Sequence, residues 1–233
     1  MEQITYKKSI QWPTNEKIDS CKLIQKGKWA NATVFLFEVS GDAFIQKGFC
    51  FRSVWIRWLV GTLLTHREIS VLKKLEGLPG VPAGVERCGA YCLRYRYMDG
   101  ITIGSLSQKK EKLPRSYFLA AEELLAQMHR RKVVHLDLRR GENWIVQTNG
   151  KLGVIDFQSA ISVAFLPQKI REKLYAIDYS GLYKFWDRLG EEPLDPERKD
   201  RLRRVNRFRR LWLFRGYALQ KSLSLKKSRS AGR

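Results

Sequence analysis

Between Val133 and Val146 the chain reads VVHLDLRRGENWIV, with His135, Asp137 and Asn143 set in a polar stretch between two apolar runs. Such a stretch is either a surface turn or a loop that holds a reacting hydroxyl and a metal ion. The residues downstream favour the loop. WIVQ (144–147) and LGVI (152–155) flank Thr148, Asn149, Gly150 and Lys151. Asn-Gly between apolar segments is a strong hairpin signal. A hairpin there brings its outer ends together, so Asn143 and Asp156 become neighbours although thirteen positions apart. Side by side they offer two oxygen donors, a set that suits Mg²⁺, which is held by one or two carboxylates together with phosphate oxygens. Asp137 has no obligatory metal duty and could take a proton from a hydroxyl nucleophile.

Other elements must carry the charge opposite this loop. TVFLFEV (33–39) is apolar and rich in strand formers, Ser40-Gly41-Asp42 reads as a turn, and AFIQK (43–47) as a second strand. With a period of two, Ala43, Ile45 and Lys47 share a face. TLLTHREISVLKKLE (62–76) reads as a helix with Leu64, Val71, Leu72 and Leu75 as its apolar stripe. Glu68 falls within that stripe, where a carboxylate needs a partner, and Lys47 is the candidate. In that arrangement Lys47 could hold nucleotide phosphates while Glu68 fixes its side chain. These are the parts that phosphoryl transfer needs.

YCLRYRYM (91–98) alternates as a strand and ends at Asp99-Gly100, a candidate hinge between lobes. SYFLAAEELLAQMHRR (116–131) reads as a helix whose stripe, Phe118, Ala121, Leu125 and Met128, belongs to a core. The expected organisation is an N-lobe over 1–98 and a C-lobe over 99–233.

In this order the pieces resemble the protein kinase-like superfamily: Lys47 in AFIQK, Glu68 in HREISVLKKL, HLDLRRGEN at 135–143 and IDFQ at 155–158. The resemblance covers roughly residues 20 to 190. It implies an α+β, two-lobed fold, with a β-rich N-lobe carrying one helix and a compact, mainly helical C-lobe. It further implies ATP and Mg²⁺ as cofactors, Asp137 as the catalytic base, and Asn143 and Asp156 as metal ligands. Lys47, Glu68, Tyr97 and Met98 fall on the nucleotide side. The chain departs from the pattern at four places. Leu136 follows His135 where Arg is usual, Asn143 stands six rather than five residues after Asp137, Gln158 replaces Gly, and no A-P-E segment follows. Gly27 and Gly41 alone fall near the expected Gly-rich loop. The compact layout, the H-x-D-L-R loop and IDFQ look most similar to the small bacterial lipopolysaccharide kinases that act on Kdo and core heptose. That resemblance implies a sugar hydroxyl on a lipid-linked acceptor. RIO-type kinases are a neighbouring look-alike that would act on a ribonucleoprotein, and a pseudokinase scaffold is a further alternative.

Composition sets the remaining bounds. With 44% hydrophobic and 12% aromatic residues the chain is a folded protein. Its net charge of +21 favours anionic partners without choosing among them. Residues 198–233 carry 14 Lys or Arg and one acid, a balance of +13. RLRRVNRFRRLWLFRGY (Arg201–Tyr217) reads as a basic helix with Leu202, Val205, Phe208 and Trp212 on one stripe. It could pack in the C-lobe, lie on anionic membrane, or, a weaker expectation, contact nucleic acid. The segment 49–64, with Trp55, Trp58, Arg52 and Arg57, reads as core leading into the Glu68 helix, with a membrane- or acceptor-facing patch as its alternative. Met1–Lys17 is polar and lacks a secretory apolar region, and the most apolar stretch, 53–64, is too short to span a bilayer. The expected location is cytoplasmic, peripheral to the inner face of the inner membrane. Cys21, Cys50, Cys88 and Cys92 include no C-x-x-C pair and read as reduced, mostly buried thiols.

Overall fold

The structure, a computed structural model, describes residues 18–27, 32–49 and 56–211. The first unit is a five-stranded antiparallel sheet in the order β1-β2-β3-β5-β4. Its strands are β1 (Ile18–Gln25), β2 (Thr33–Val39), β3 (Asp42–Gly48), β4 (Glu86–Arg87) and β5 (Cys92–Arg96). β2 and β3 join through the expected Ser40-Gly41 turn, with Val39 paired to Asp42. Both turn residues lie at positive φ, as the right-handed twist of a two-residue hairpin requires. Helix α1 (Thr62–Lys74) follows a π-helical turn at Ile56–Gly61 and buries Glu68, Ile69, Val71 and Leu72.

The second unit is mainly helical. It comprises α2 (Ile103–Lys109), α3 (Arg115–Arg130), α4 (Gln168–Leu189) and α5 (Pro196–Leu211). Two small sheets sit between helices and the first unit. One is β6 (Ile101–Thr102) with the hairpin β8 (Trp144–Val146) and β9 (Leu152–Val154); the other pairs β7 (Val133–Val134) with β10 (Ile161–Ser162). The α3 stripe is buried as expected: Phe118, Ala121, Leu125 and Met128 have no exposed surface. Phe118 stacks on Trp186 of α4 at 5.1 Å between ring centroids. Between β5 and β6 the chain passes through Asp99-Gly100, where Gly100 takes a φ of +148°.

The Asn-Gly hairpin is present with a longer loop than a two-residue turn. Gln147 pairs across to Lys151, the Gly150 N–H donates to the Gln147 carbonyl at 2.9 Å, and Gly150 has a φ of +77°. This is a turn closed by a glycine bulge, so the Gly carries the left-handed residue and Asn149 does not.

The 22-residue α4, the longest helix among the described residues, has no counterpart among the elements expected from sequence. Its middle must approach the polar loop very closely. A Cβ on Gly181 would lie 2.6 Å from the Leu138 carbonyl. Gly181→Ala is therefore expected to destabilise the protein by about 2–4 kcal/mol, in the range of overpacked or strained buried sites. Urea unfolding measures this, and a loss below about 0.5 kcal/mol would show that the loop yields freely.

Candidate active site

Lys47 and Glu68 meet. Lys47 sits on β3 opposite Val34 of β2 and Leu93 of β5, so its backbone is fixed from both sides. Its ammonium donates to Glu68 Oε1 at 2.9 Å and to Asp156 Oδ1 at 2.6 Å. The Lys47 and Glu68 side chains are 7% and 5% exposed, against 38% for Asp156. The pair is thus sealed, while the second carboxylate reaches the cleft. Burial alone would push the Lys47 ammonium down, but Glu68, Tyr95 and Asp156 hold it well above its usual range. Lys47 draws the Asp156 carboxyl below the usual carboxylate value, against the opposing effect of burial.

The hairpin does what its ends require. The Ile155 N–H donates to the Asn143 carbonyl at 3.0 Å, which places Asn143 and Asp156 on adjacent chain segments. The six-residue step from Asp137 to Asn143 is absorbed by a 3₁₀ turn at Gly141–Asn143. Asn143 still reaches back, its Nδ2 donating to the Asp137 carbonyl at 3.0 Å and to Asp137 Oδ2 at 3.2 Å. Burial raises the Asp137 carboxyl above its ordinary value, with Arg140 and the Asn143 amide opposing that rise. Arg140 Nη1 lies 3.7 Å from Asp137 Oδ2.

His135 is fully buried and faces away from solvent. Its Nε2 lies 3.0 Å from the Ile155 carbonyl, which assigns the proton to that nitrogen, and its ring packs edge-on against Phe157 at 4.8 Å. Burial pushes its imidazole down, so the neutral form is favoured. His135 therefore braces the loop against the segment that carries Asp156.

A residue absent from the sequence-derived site holds this loop from below. Asp178 of α4, with no exposed surface, accepts the His135 N–H at 2.9 Å and the Leu136 N–H at 2.8 Å. It also meets His129 Nε2 at 3.1 Å. Leu136 sits at a φ of +67°, a strained value for a branched side chain, and the two bonds to Asp178 keep it there. The Lys184 ammonium donates to the Arg139 carbonyl at 2.9 Å, and Trp144 Nε1 donates to the Leu138 carbonyl at 2.8 Å. The signal in the sequence is a carboxylate inside the apolar run IDYSGLYKFW, the same kind of oddity that points to Glu68.

Lys47, Asn143 and Asp156 share the lining of one cavity of about 340 Å³ with Tyr97 and Met98. Val34 and Ile45 from the sheet, together with Ile145 from the hairpin, give it apolar walls. Tyr97 is anchored by its N–H to the Ala43 carbonyl at 2.8 Å. Glu68 stands behind Lys47 rather than in this lining. The Asn143 amide nitrogen is committed to Asp137, which leaves its carbonyl oxygen to offer alongside the Asp156 carboxylate. That pair of hard oxygen donors fits Mg²⁺ better than a softer metal. Residues 28–31, which follow Gly27, lie outside the described residues, as do Cys50, Arg52 and Trp55.

The basic helix begins at Pro196, earlier than expected, and of the described stripe residues Leu202 is turned into the core while Val205 is half-buried. Leu202 is 7% exposed and belongs to the main core. Arg198 forms two bonds to Glu122 of α3, at 2.8 and 2.7 Å, and a third to Asp195 at 2.6 Å. The side chain of Phe208, Trp212 and the chain beyond lie outside the described residues. Phe49 is buried as a core residue, whereas Trp58 is 75% exposed. No helix among the described residues is long and apolar enough to cross a membrane.

A two-lobed arrangement of β-sheet, Glu-bearing helix, loop and hairpin around one cleft is the protein kinase-like fold, and solved structures agree. The chain is similar to the Rio2 kinase from Chaetomium thermophilum, with 16% identity and a TM-score of 0.58 over 81% of this chain and 63% of that one. It is likewise similar to the complex of Rio2 kinase with ADP, Mg²⁺ and phosphoaspartate from the same organism, with 15% identity and a TM-score of 0.56 over 81% of this chain and 62% of that one. The chain thus spans less than two thirds of the length of these structures. Neither a protein-family model nor a curated protein matches it.

The depressed Asp156 carboxyl has a consequence for stability. Its contribution is fully present above the unfolded value of about 3.9 and is lost as pH falls through the lower folded value. Asp156→Asn is expected to be less stable than the parent chain at pH 7, with the gap narrowing as pH falls below about 4. Urea midpoints across that range test this; a gap independent of pH would mean that Lys47 gains nothing from the Asp156 charge.

Proposed function

We propose that the chain is an ATP-dependent phosphotransferase that moves the γ-phosphoryl group to a hydroxyl. The observation that carries this reading is the convergence of Lys47 and Glu68, from the sheet and α1, with Asp156, Asn143 and Asp137, from the hairpin and the loop before it. In this reading the lobes divide as 1–98 and 99–233. The apolar slot between Val34, Ile45 and Ile145, edged by Tyr97 and Met98, takes the adenine ring. Lys47, held by Glu68, binds phosphate oxygens. Asn143 and Asp156 would hold Mg²⁺, which, when bound, neutralises charge on the transferred phosphoryl group.

Asp137 then orients the acceptor hydroxyl and takes its proton. Its Oδ2 is fixed by the Asn143 amide, and partial burial raises its basicity. The Asp178 bonds to His135 and Leu136 preorganise that carboxylate, so little reorganisation remains for the reacting complex. A catalytically silent scaffold would have no chemical reason to keep the Asn143–Asp137 bond together with both Lys47 contacts.

For the acceptor we infer a sugar hydroxyl on a lipid-linked molecule. Its support is the resemblance of HLDLRRGEN and IDFQ to the lipopolysaccharide kinases. It fits a cytoplasmic protein that works peripherally at the inner face of the inner membrane, with the basic Arg201–Tyr217 region facing anionic lipid. The structural likeness to Rio2 kinase favours a second reading, a RIO-like kinase or ATPase acting on a ribonucleoprotein.

Calorimetry with ATP and Mg²⁺ is expected to show metal-dependent binding that Asp156→Ala abolishes. Asp137→Ala should retain binding but lower turnover by about 10²–10⁴-fold, the usual weight of a general base. Undiminished turnover in that variant would remove Asp137 from the mechanism, and absent nucleotide binding by folded protein would leave the scaffold reading. Phosphate incorporated into a lipid-linked oligosaccharide supports the first acceptor. A hydroxylamine-labile phosphoryl group on the protein itself, with salt-sensitive RNA binding, supports the second.

A further inference from the structure

At the outer edge of the five-stranded sheet, β4 and β5 form a hairpin whose mouth is spanned by two cysteines. The Cys88 N–H donates to the Cys92 carbonyl at 3.1 Å, and the two sulfurs stand 2.9 Å apart. Cys88 is half-buried, whereas Cys92 is 1% exposed. Among the described cysteines only Cys92 is buried, so the expectation of mostly buried thiols fails at Cys21 and Cys88; both lie on or at the end of an edge strand, while Cys92 lies inside the sheet. Gln46 Nε2 donates to Cys92 Sγ at 3.1 Å, and Cys92 pairs with Gly48, the residue after Lys47.

We propose that Cys88 and Cys92 are an oxidation site, a dithiol that closes to an intramolecular disulfide on reaction with a small-molecule disulfide of the glutathione type. A disulfide needs sulfurs about 2.05 Å apart, so closure asks for a movement of less than about 1 Å. The chemistry rests on the unequal exposure. The Cys88 thiol loses its proton, and its thiolate attacks one sulfur of the oxidant, breaking the S–S bond. A mixed disulfide forms and one small thiolate leaves. Cys92, already in place, loses its proton and attacks Cys88 Sγ, expelling the second small thiol. The protein loses two hydrogens, and the oxidant is reduced to two thiols. Cys88 is the attacking thiol because reagent can reach it, and Cys92 is the resolving one because reagent cannot.

The product ties the edge strand β4 to β5, beside the strand that carries Lys47. The full chain, reduced and then titrated with glutathione disulfide, is expected to lose two titratable thiols and two mass units. Peptide mapping should show a Cys88–Cys92 link, and the linked form should have a higher Tm. Cys92→Ser should trap a stable glutathione adduct on Cys88, and Cys88→Ser should leave Cys92 unmodified in the folded protein. A glutathione adduct persisting on Cys88 of the parent chain, a link to Cys21 or Cys50, or no loss of thiols would each overturn the proposal. The two serine variants keep the test decisive should the disulfide itself perturb folding.

Discussion

Burial of the Lys47 ammonium is the constraint on which the rest of the site depends. An isolated cation in that position would lose hydration worth several kcal/mol. It is tolerated because two carboxylates reach it, one from α1 and one from the segment after β9, 109 positions away in the chain. The sheet, α1 and the β8–β9 hairpin must therefore be in register before the lysine is satisfied. Further contacts hold the same alignment. Arg67 of α1 donates to the Gln158 carbonyl, and the Lys74 ammonium bonds Ser162 Oγ at 2.6 Å. The Gln that stands where Gly was expected after Asp-Phe contributes its backbone carbonyl to that brace, a contact that does not depend on its side chain.

A second constraint acts from the opposite lobe. The loop that carries Asp137 contains a residue in left-handed conformation, and such a conformation persists only where surrounding structure enforces it. Asp178 enforces it with two backbone bonds, and Gly181, one helical turn on, lets α4 come close enough to do so. The upper constraint fixes the Lys47 ammonium, and the lower one fixes the loop that carries the Asp137 carboxylate. His135 links the two through the Ile155 carbonyl and the Phe157 ring. Displacement of either lobe's contribution is thus felt at the other.

Much of this was legible in residue order. Lys47 and Glu68 stood out because each put a charge on an otherwise apolar face, and a buried charge implies a partner. Asn143 and Asp156 were joined by a hairpin signal that local turn chemistry alone supplies. What remained hidden depends on contacts distant in sequence. β1 has mostly exposed residues, a pattern without alternation, and forms only by pairing with β2. α4 mixes Lys, Arg and Glu into its first turns and buries only its second half, so no single stripe runs its length. Asp178 was readable in principle, as a carboxylate amid apolar residues, but its meaning required knowing which loop α4 would meet.

The charge at the C-terminal end shows how composition can mislead about partners. Residues 198–233 supply +13 of the net +21, which reads as a surface waiting for an anion. Yet Arg198 is held by Glu122 and Asp195, whereas Arg201 and Arg204 make only exposed pairs with Glu197 and Asp200, which bind weakly. Leu202 meanwhile anchors the helix in the core. The start of α5 is thus structural through Arg198 and Leu202, while Arg201, Arg203, Arg204 and Arg207 stay exposed. The site side is similarly constrained. Only eleven residues, 157–167, separate Asp156 from α4, and two of them are paired in β10. So short a connection leaves little chain to build a platform for an extended peptide. Fold by itself leaves the acceptor open.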